Sequence, residues 1–253
     1  MTQNQYKAFS DFREAFKAQV AQWNSRVQGL AECQASTAKE GGVPQYPIET
    51  PVVYNTALDS ITPEDEIRLI VIGDNPGKEE QLSKNQKYLV GLAGKIGEKF
   101  FREHPELGVD FRKNAIILNK TPVHSAKTAM LYKIAKANPA FAALIQESQV
   151  WMAQATAKLH NALCKEAQEN GLYVPGLWLI GYGELKPKGI FSSYTETLKQ
   201  QSQNWGKVKV YQHFSMNRFT IDLRDWQEKH PAQLQDALET LGEEHKNKII
   251  GGQ

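Results

Sequence analysis

Apolar residues along this chain fall into two patterns: short unbroken runs, and longer stretches where they recur every three or four positions. Leu69 to Gly73 (LIVIG) and Ala115 to Asn119 (AIILN) are of the first kind, as is LWLIG over residues 177–181. Such runs read as parallel strands covered on both faces. KVKVYQ over 207–212 alternates instead and reads as a fourth strand nearer the sheet edge. Of the second kind, Tyr6, Phe9, Phe12, Phe16, Val20, Trp23 and Val27 form one face of a helix ending near Gly29. Residues 91–103, 141–170, 192–203 and 233–245 also carry helical spacing, and Gly171 closes the second of these. Residues 40–60, with Gly41, Gly42, Pro44, Pro47 and Pro51, read as loop. Residues 251–253 read as a disordered tail.

Strands alternating with helices predict an α/β fold, a three-layer α/β/α sandwich around a central, mainly parallel four-stranded sheet. Residues 1–40 are expected to be a helical extension packed on the core, and 41–253 a single α/β domain. Three strands then deliver polar residues at their carboxyl ends: Asp74 and Asn75, Asn119, and His213. Open parallel sheets place their ligands at that edge. In the loop DNPG, Pro76 stiffens the backbone and Gly77 removes a side chain that would hold a substrate away.

Composition narrows the classes. The 253 residues are 41% hydrophobic and 23% charged, ordinary for a globular protein. No apolar run approaches the ~20 residues of a membrane helix, and the amino terminus lacks a signal-peptide core, so a cytoplasmic location is expected; a monomer is expected as well. A net charge of +2 permits a nucleic-acid partner without arguing for one. Cys33 and Cys164, far apart and alone, exclude a disulfide framework and a four-cysteine cluster.

Several chemistries fail on spacing. GDNPGK echoes a nucleotide-phosphate loop but is one residue short, and Glu79 stands where the magnesium-binding hydroxyl belongs. No GxGxxG follows a strand, no histidines show metal spacing, and no GxSxG nucleophile elbow exists. A carboxylate, two amides and a histidine on one rim remain, a set suited to holding a planar heterocycle.

GDNPG, LVGLAG, LNKTP and HFS, in this order, resemble the motifs of the uracil-DNA glycosylase superfamily over roughly residues 50–225. GLAG at 91–94 matches its thermophilic family 4 branch, and NKTP stands where the single-strand-selective monofunctional branch carries an asparagine. The resemblance implies a monofunctional DNA glycosylase that excises a flipped uracil or related damaged base, without cofactor or metal. By that resemblance Asp74 or Asn75 orders the attacking water, and Asp74 offers negative charge to an oxocarbenium-like sugar. Gly73, Pro76 and Gly77 surround the base, Asn119 pairs with its edge, and His213 donates to O2. Tyr88 and Leu89 occupy the stacking positions. Ser215 holds a phosphate, while Met216, Asn217 and Arg218 form a loop pressed into the minor groove. Lys84, Lys87, Lys95 and Lys120 join Arg218 as expected phosphate contacts, and no lysine is read as a nucleophile.

This chain departs from the pattern at two places. Phe214 replaces the usual proline of H-P-S, and Leu89 replaces the stacking aromatic. Two other readings therefore stand beside the first: a nucleic-acid or nucleoside-binding member of the same fold without catalysis, and an unrelated hydrolase of a small nucleoside.

Overall fold

The computed structural model describes residues 1–251; the last two residues of the expected disordered tail lie outside them. In chain order the elements begin with α1 (Gln3–Arg26), α2 (Leu30–Glu40), β1 (Leu69–Gly73), α3 (Leu92–Glu103) and β2 (Ala115–Asn119). They continue with α4 (Met130–Ala137), α5 (Pro139–Glu169), β3 (Gly176–Ile180), α6 (Ser192–Gln201), β4 (Val208–Tyr211), α7 (Arg218–Lys229) and α8 (Leu234–Ile249). The sheet order is β2-β1-β3-β4 with every pairing parallel, the expected α/β architecture with a central four-stranded sheet. All five residues of β1 and all five of β2 are buried, the reason their sequences run apolar without alternation. Because β2 and β3 flank β1 on opposite sides, the chain changes direction at the carboxyl end of β1. That switch point is where such sheets open a crevice.

The amino-terminal helix begins with a reciprocal cap between Thr2 and Gln5. Its buried face, Phe9, Phe12, Phe16, Val20 and Trp23, packs on α5, where Trp151 lies 5.7 Å from both Phe16 and Trp23. These residues and the strands belong to one continuous apolar cluster. At Gly29 the backbone turns left-handed, with φ +76°, which separates α1 from α2.

β4 lies at the sheet edge, as its alternation suggests, but its lysine does not face water. Lys209 is buried and pairs with Glu239 (3.0 Å) and Glu243 (2.8 Å) of α8. Tyr211 on the same strand donates its hydroxyl to Leu238 O at 2.9 Å. The alternation thus marks a strand edge closed by ion pairs with a helix. Helices α4 and α7 were not legible as separate elements. Arg218, expected in a loop, is the first residue of α7. No helix among the described residues is long and apolar enough to cross a membrane.

Candidate functional site

The carboxyl ends of the four strands are stitched together by backbone. Gly73 stands opposite Asn119 in the β1–β2 register, Lys120 N–H donates to Gly73 O at 3.0 Å, and Gly181 N–H donates to Tyr211 O at 2.9 Å. Two glycines make room for the polar side chains. A Cβ on residue 73 would lie 2.4 Å from Asn119 Oδ1. At Gly181, with φ +102°, a Cβ would lie 2.4 Å from Asp74 Oδ1.

Asp74 is not a free carboxylate. Its Oδ1 accepts from Lys120 Nζ at 2.6 Å, and that same ammonium donates to Ile180 O at 2.6 Å and Gly73 O at 3.3 Å. Lys120 is fully buried, with the Phe191 ring 5.1 Å from its nitrogen. This corrects the expectation that Lys120 meets a phosphate: no solvent-facing atom is left to do so. Burial pushes the Lys120 pKa below the ordinary lysine value, and the neighbouring Asp74 pulls it back up. Among the described residues no group donates to Asp74 Oδ2. Glu184, in the turn after β3, is a second carboxyl near this pair. Burial raises its pKa first, then Asp74, while Lys120 acts to lower it.

His213 follows β4 and is partly buried. Its Nδ1 accepts from Ser215 N–H at 3.1 Å and lies 2.8 Å from Ser215 Oγ, which assigns the ring proton to Nε2. Burial lowers the His213 pKa, Asp74 opposes that shift and Lys120 adds to it, which sets all three groups within electrostatic reach of one another. Ser215, expected at a phosphate, is thereby committed to orienting the histidine. Phe214 sits at φ −64°, the angle a proline ring would impose. Its ring is held 5.9 Å from Phe111 and 5.2 Å from Phe219. Aromatic packing therefore holds here the backbone angle that a proline ring would fix covalently.

Asn119 is buried to 1% exposure, and its Nδ2 has no hydrogen-bond partner among the described residues. Asn75 is the opposite case. Its Nδ2 donates to Ser125 Oγ (2.9 Å), and its Oδ1 accepts from Thr128 Oγ1 (3.0 Å). An amide bound at both ends ties the loop after β1 to the loop after β2. Pro76 extends this brace, since His124 Nδ1 donates to Pro76 O at 2.9 Å while its Nε2 faces the Tyr46 hydroxyl at 2.9 Å. Burial pushes His124 down to about 4, so this ring is neutral. A Cβ on residue 77 would meet nothing within 4 Å.

Tyr88 and Leu89, the positions expected to stack on a base, offer no available ring. Tyr88 is buried and donates its hydroxyl to Val53 O at 2.6 Å. Leu89 is buried in a left-handed conformation, φ +52°, with its carbonyl accepting from Arg112 Nη2 at 2.7 Å. Tyr54 and Asn55 are likewise structural, bonded to Asp59 and to Ile117 O. By contrast Met216 is 78% exposed at φ +53°, Asn217 follows at φ +57°, and Leu92 is 72% exposed. Lys84, Lys87, Lys95 and Arg218 are exposed as expected. An apolar groove lined by Phe12, Trp151 and Leu159 lies between α1 and α5 and contributes none of these residues. Among the described residues no three His, Cys, Asp or Glu side chains gather as metal ligands.

Glu80 links the two loops flanking this rim. It is buried, accepts Gly77 N–H at 3.0 Å, and has its pKa pushed up to about 7 by burial. A folded-state pKa above the unfolded one means the native state holds its proton more tightly. Its stabilising contribution is complete below the ordinary glutamate range and is lost as pH rises through about 7. Glu80→Gln is expected to remove that dependence, so wild-type stability relative to the variant falls by about 3 kcal/mol between acid and pH ~8. Urea unfolding of both proteins at the two pH values measures it.

Comparison of the chain with family models, curated proteins and solved structures finds no match. Glu184 goes unread in the sequence, and Lys120 reads there as a phosphate contact and not as the buried partner of Asp74. A lysine directly after an apolar strand reads as a turn charge unless its partner across the sheet is known.

Proposed function

We propose that this chain is a monofunctional DNA glycosylase, hydrolysing the N-glycosidic bond of an extruded uracil or related damaged base. The observation that carries the reading is the buried, unpartnered amide of Asn119 on the rim that also holds Asp74 and His213. A buried donor without a partner costs about 1–3 kcal/mol, a cost a bound ligand would remove. An asparagine offers one donor and one acceptor side by side, matching O4 and N3–H of a uracil edge.

In this reading Asn119 selects the base, and the Nε2–H of neutral His213 donates to O2 as negative charge develops there. Asp74 Oδ2 orders water and faces the cationic sugar. Met216 and Leu92 are the exposed apolar residues that would fill the space of an extruded base. The absence of lyase chemistry is supported by Lys120, whose ammonium donates to three oxygens and carries no lone pair for attack.

Abasic-site cleavage over a panel of modified bases, in single and double strands, tests the reading; a wild type inactive on all of them overturns it. Asn119→Ala is expected to lose discrimination between uracil and other bases more than it loses rate on the best substrate. DNA affinity should fall with salt at a log–log slope of about −4 if the four exposed residues of the expected set, Lys84, Lys87, Lys95 and Arg218, each meet a phosphate and contribute ~0.9. A flat response favours a small nucleoside substrate. The binding-only reading keeps one specific support, Leu89 where a stacking ring would add about 1–3 kcal/mol.

A further inference from the structure

Lys120 is an expensive residue to bury. Its three donors meet three oxygens that can only accept: Asp74 Oδ1, Ile180 O and Gly73 O. A neutral amine has two hydrogens and would turn its lone pair on one of those oxygens, so three accepting partners favour the ammonium. The partners come from β1, from the residue following it and from the end of β3, while Lys120 itself follows β2. One side chain therefore pins three strand ends around the switch point. A buried ion pair is commonly no more stabilising than apolar residues of the same volume, so core stability alone gives no reason for a charge here. The charge acts on Asp74, which has one oxygen taken by Lys120 and the other without a donor among the described residues.

We propose that Lys120 is the positioning residue of this site: it clamps Asp74 by Oδ1 so that Oδ2 alone faces the rim, and sets a fixed positive charge against that carboxylate. The proposal rests on the glycosylase reading for what the carboxylate does, and on the geometry for the clamp itself. The charged or titratable groups facing Asp74 are Lys120 after β2, Glu184 in the turn after β3 and His213 after β4. Lys120 is the one that touches it. Removing a cation at 2.6 Å favours the protonated carboxyl, and Glu184 nearby favours it further.

The test uses full-length wild type, Lys120→Met, Lys120→Arg, Asp74→Asn and the Lys120→Met/Asp74→Asn double variant. Each is assayed in single turnover on whichever modified-base oligonucleotide the wild type cleaves. Lys120→Met is expected to slow base release by about 10²-fold with little change in oligonucleotide affinity. Its acid limb should also move to higher pH by about one unit or more, and Lys120→Arg should move it back. The double variant should be no slower than Asp74→Asn, because the lysine acts through the aspartate. An unmoved acid limb, or rate losses that multiply in the double variant, overturns the proposal. So does borohydride trapping of wild type on DNA through Lys120, which would make the lysine a nucleophile.

If the wild type cleaves nothing, the glycosylase reading fails, and the clamp is judged on nitrogen-15 spectra of the lysine ammonium groups. A Lys120 signal protected from solvent exchange in wild type and unprotected in Asp74→Asn sustains the clamp. A signal that exchanges freely in wild type, or one equally protected in both, overturns it.

Discussion

On the glycosylase reading proposed above, replacing His213 by alanine is expected to slow base release by about 10²–10³-fold in single turnover while leaving affinity for the same oligonucleotide nearly unchanged. The expectation follows from the ring's placement. Its Nδ1 is occupied by Ser215, so Nε2 carries the only proton the side chain can offer the rim. A neutral donor of this kind gains most when charge appears on the leaving base, which happens only near the transition state. Burial lowers the His213 pKa, so the neutral ring persists at pH values where an ordinary histidine would already be charged. The rate should therefore show no fall attributable to histidine near pH ~6.5. Ser215→Ala removes one of the two contacts at Nδ1 and should give a smaller loss in rate. A His213→Ala variant as fast as the wild type would remove His213 from the chemistry.

The second large effect is on folding. Asp74→Ala is expected to destabilise the protein by about 3–5 kcal/mol, measured by urea or thermal unfolding, because it leaves the Lys120 ammonium buried without its counter-charge. Alanine at this position therefore tests stability and chemistry together, whereas asparagine keeps an oxygen within reach of Lys120 Nζ. Adding Lys120→Met to Asp74→Ala should restore much of the lost stability, since the orphaned charge is then gone as well. Destabilisation by Asp74→Ala of less than about 1 kcal/mol would mean the pair is solvated and loosely held.

Aromatic packing answers one of the two departures noted from sequence. Phe214 holds the proline-like φ through contacts with Phe111 and Phe219, side chains 103 and 5 positions away in sequence. A Phe214→Pro variant is thus expected to keep the fold of the His213 segment. The other departure is left standing by the structure, because Tyr88 spends its hydroxyl on Val53 O and Leu89 faces the interior.

Periodicity alone determined the strands and most of the helices of this protein. The runs Leu69–Gly73 and Ala115–Asn119 end where the sheet ends, since an unbroken apolar pentapeptide is stable only with both faces covered. Which residues stand at the carboxyl edge follows from those ends, so Asp74, Asn119 and His213 were legible in the sequence itself. Their partners were not. Lys120 finds Ile180 across 60 residues, Asn75 finds Ser125 across 50, and Tyr88 finds Val53 across 35. Hydrogen-bond partners at such separations are chosen by which loops the sheet brings together, and a buried donor takes the nearest acceptor whatever its distance along the chain. Tertiary structure alone therefore decided that Lys120 lies inside the protein, that Asn75 braces a loop, and that Asn119 Nδ2 is left without a partner among the described residues.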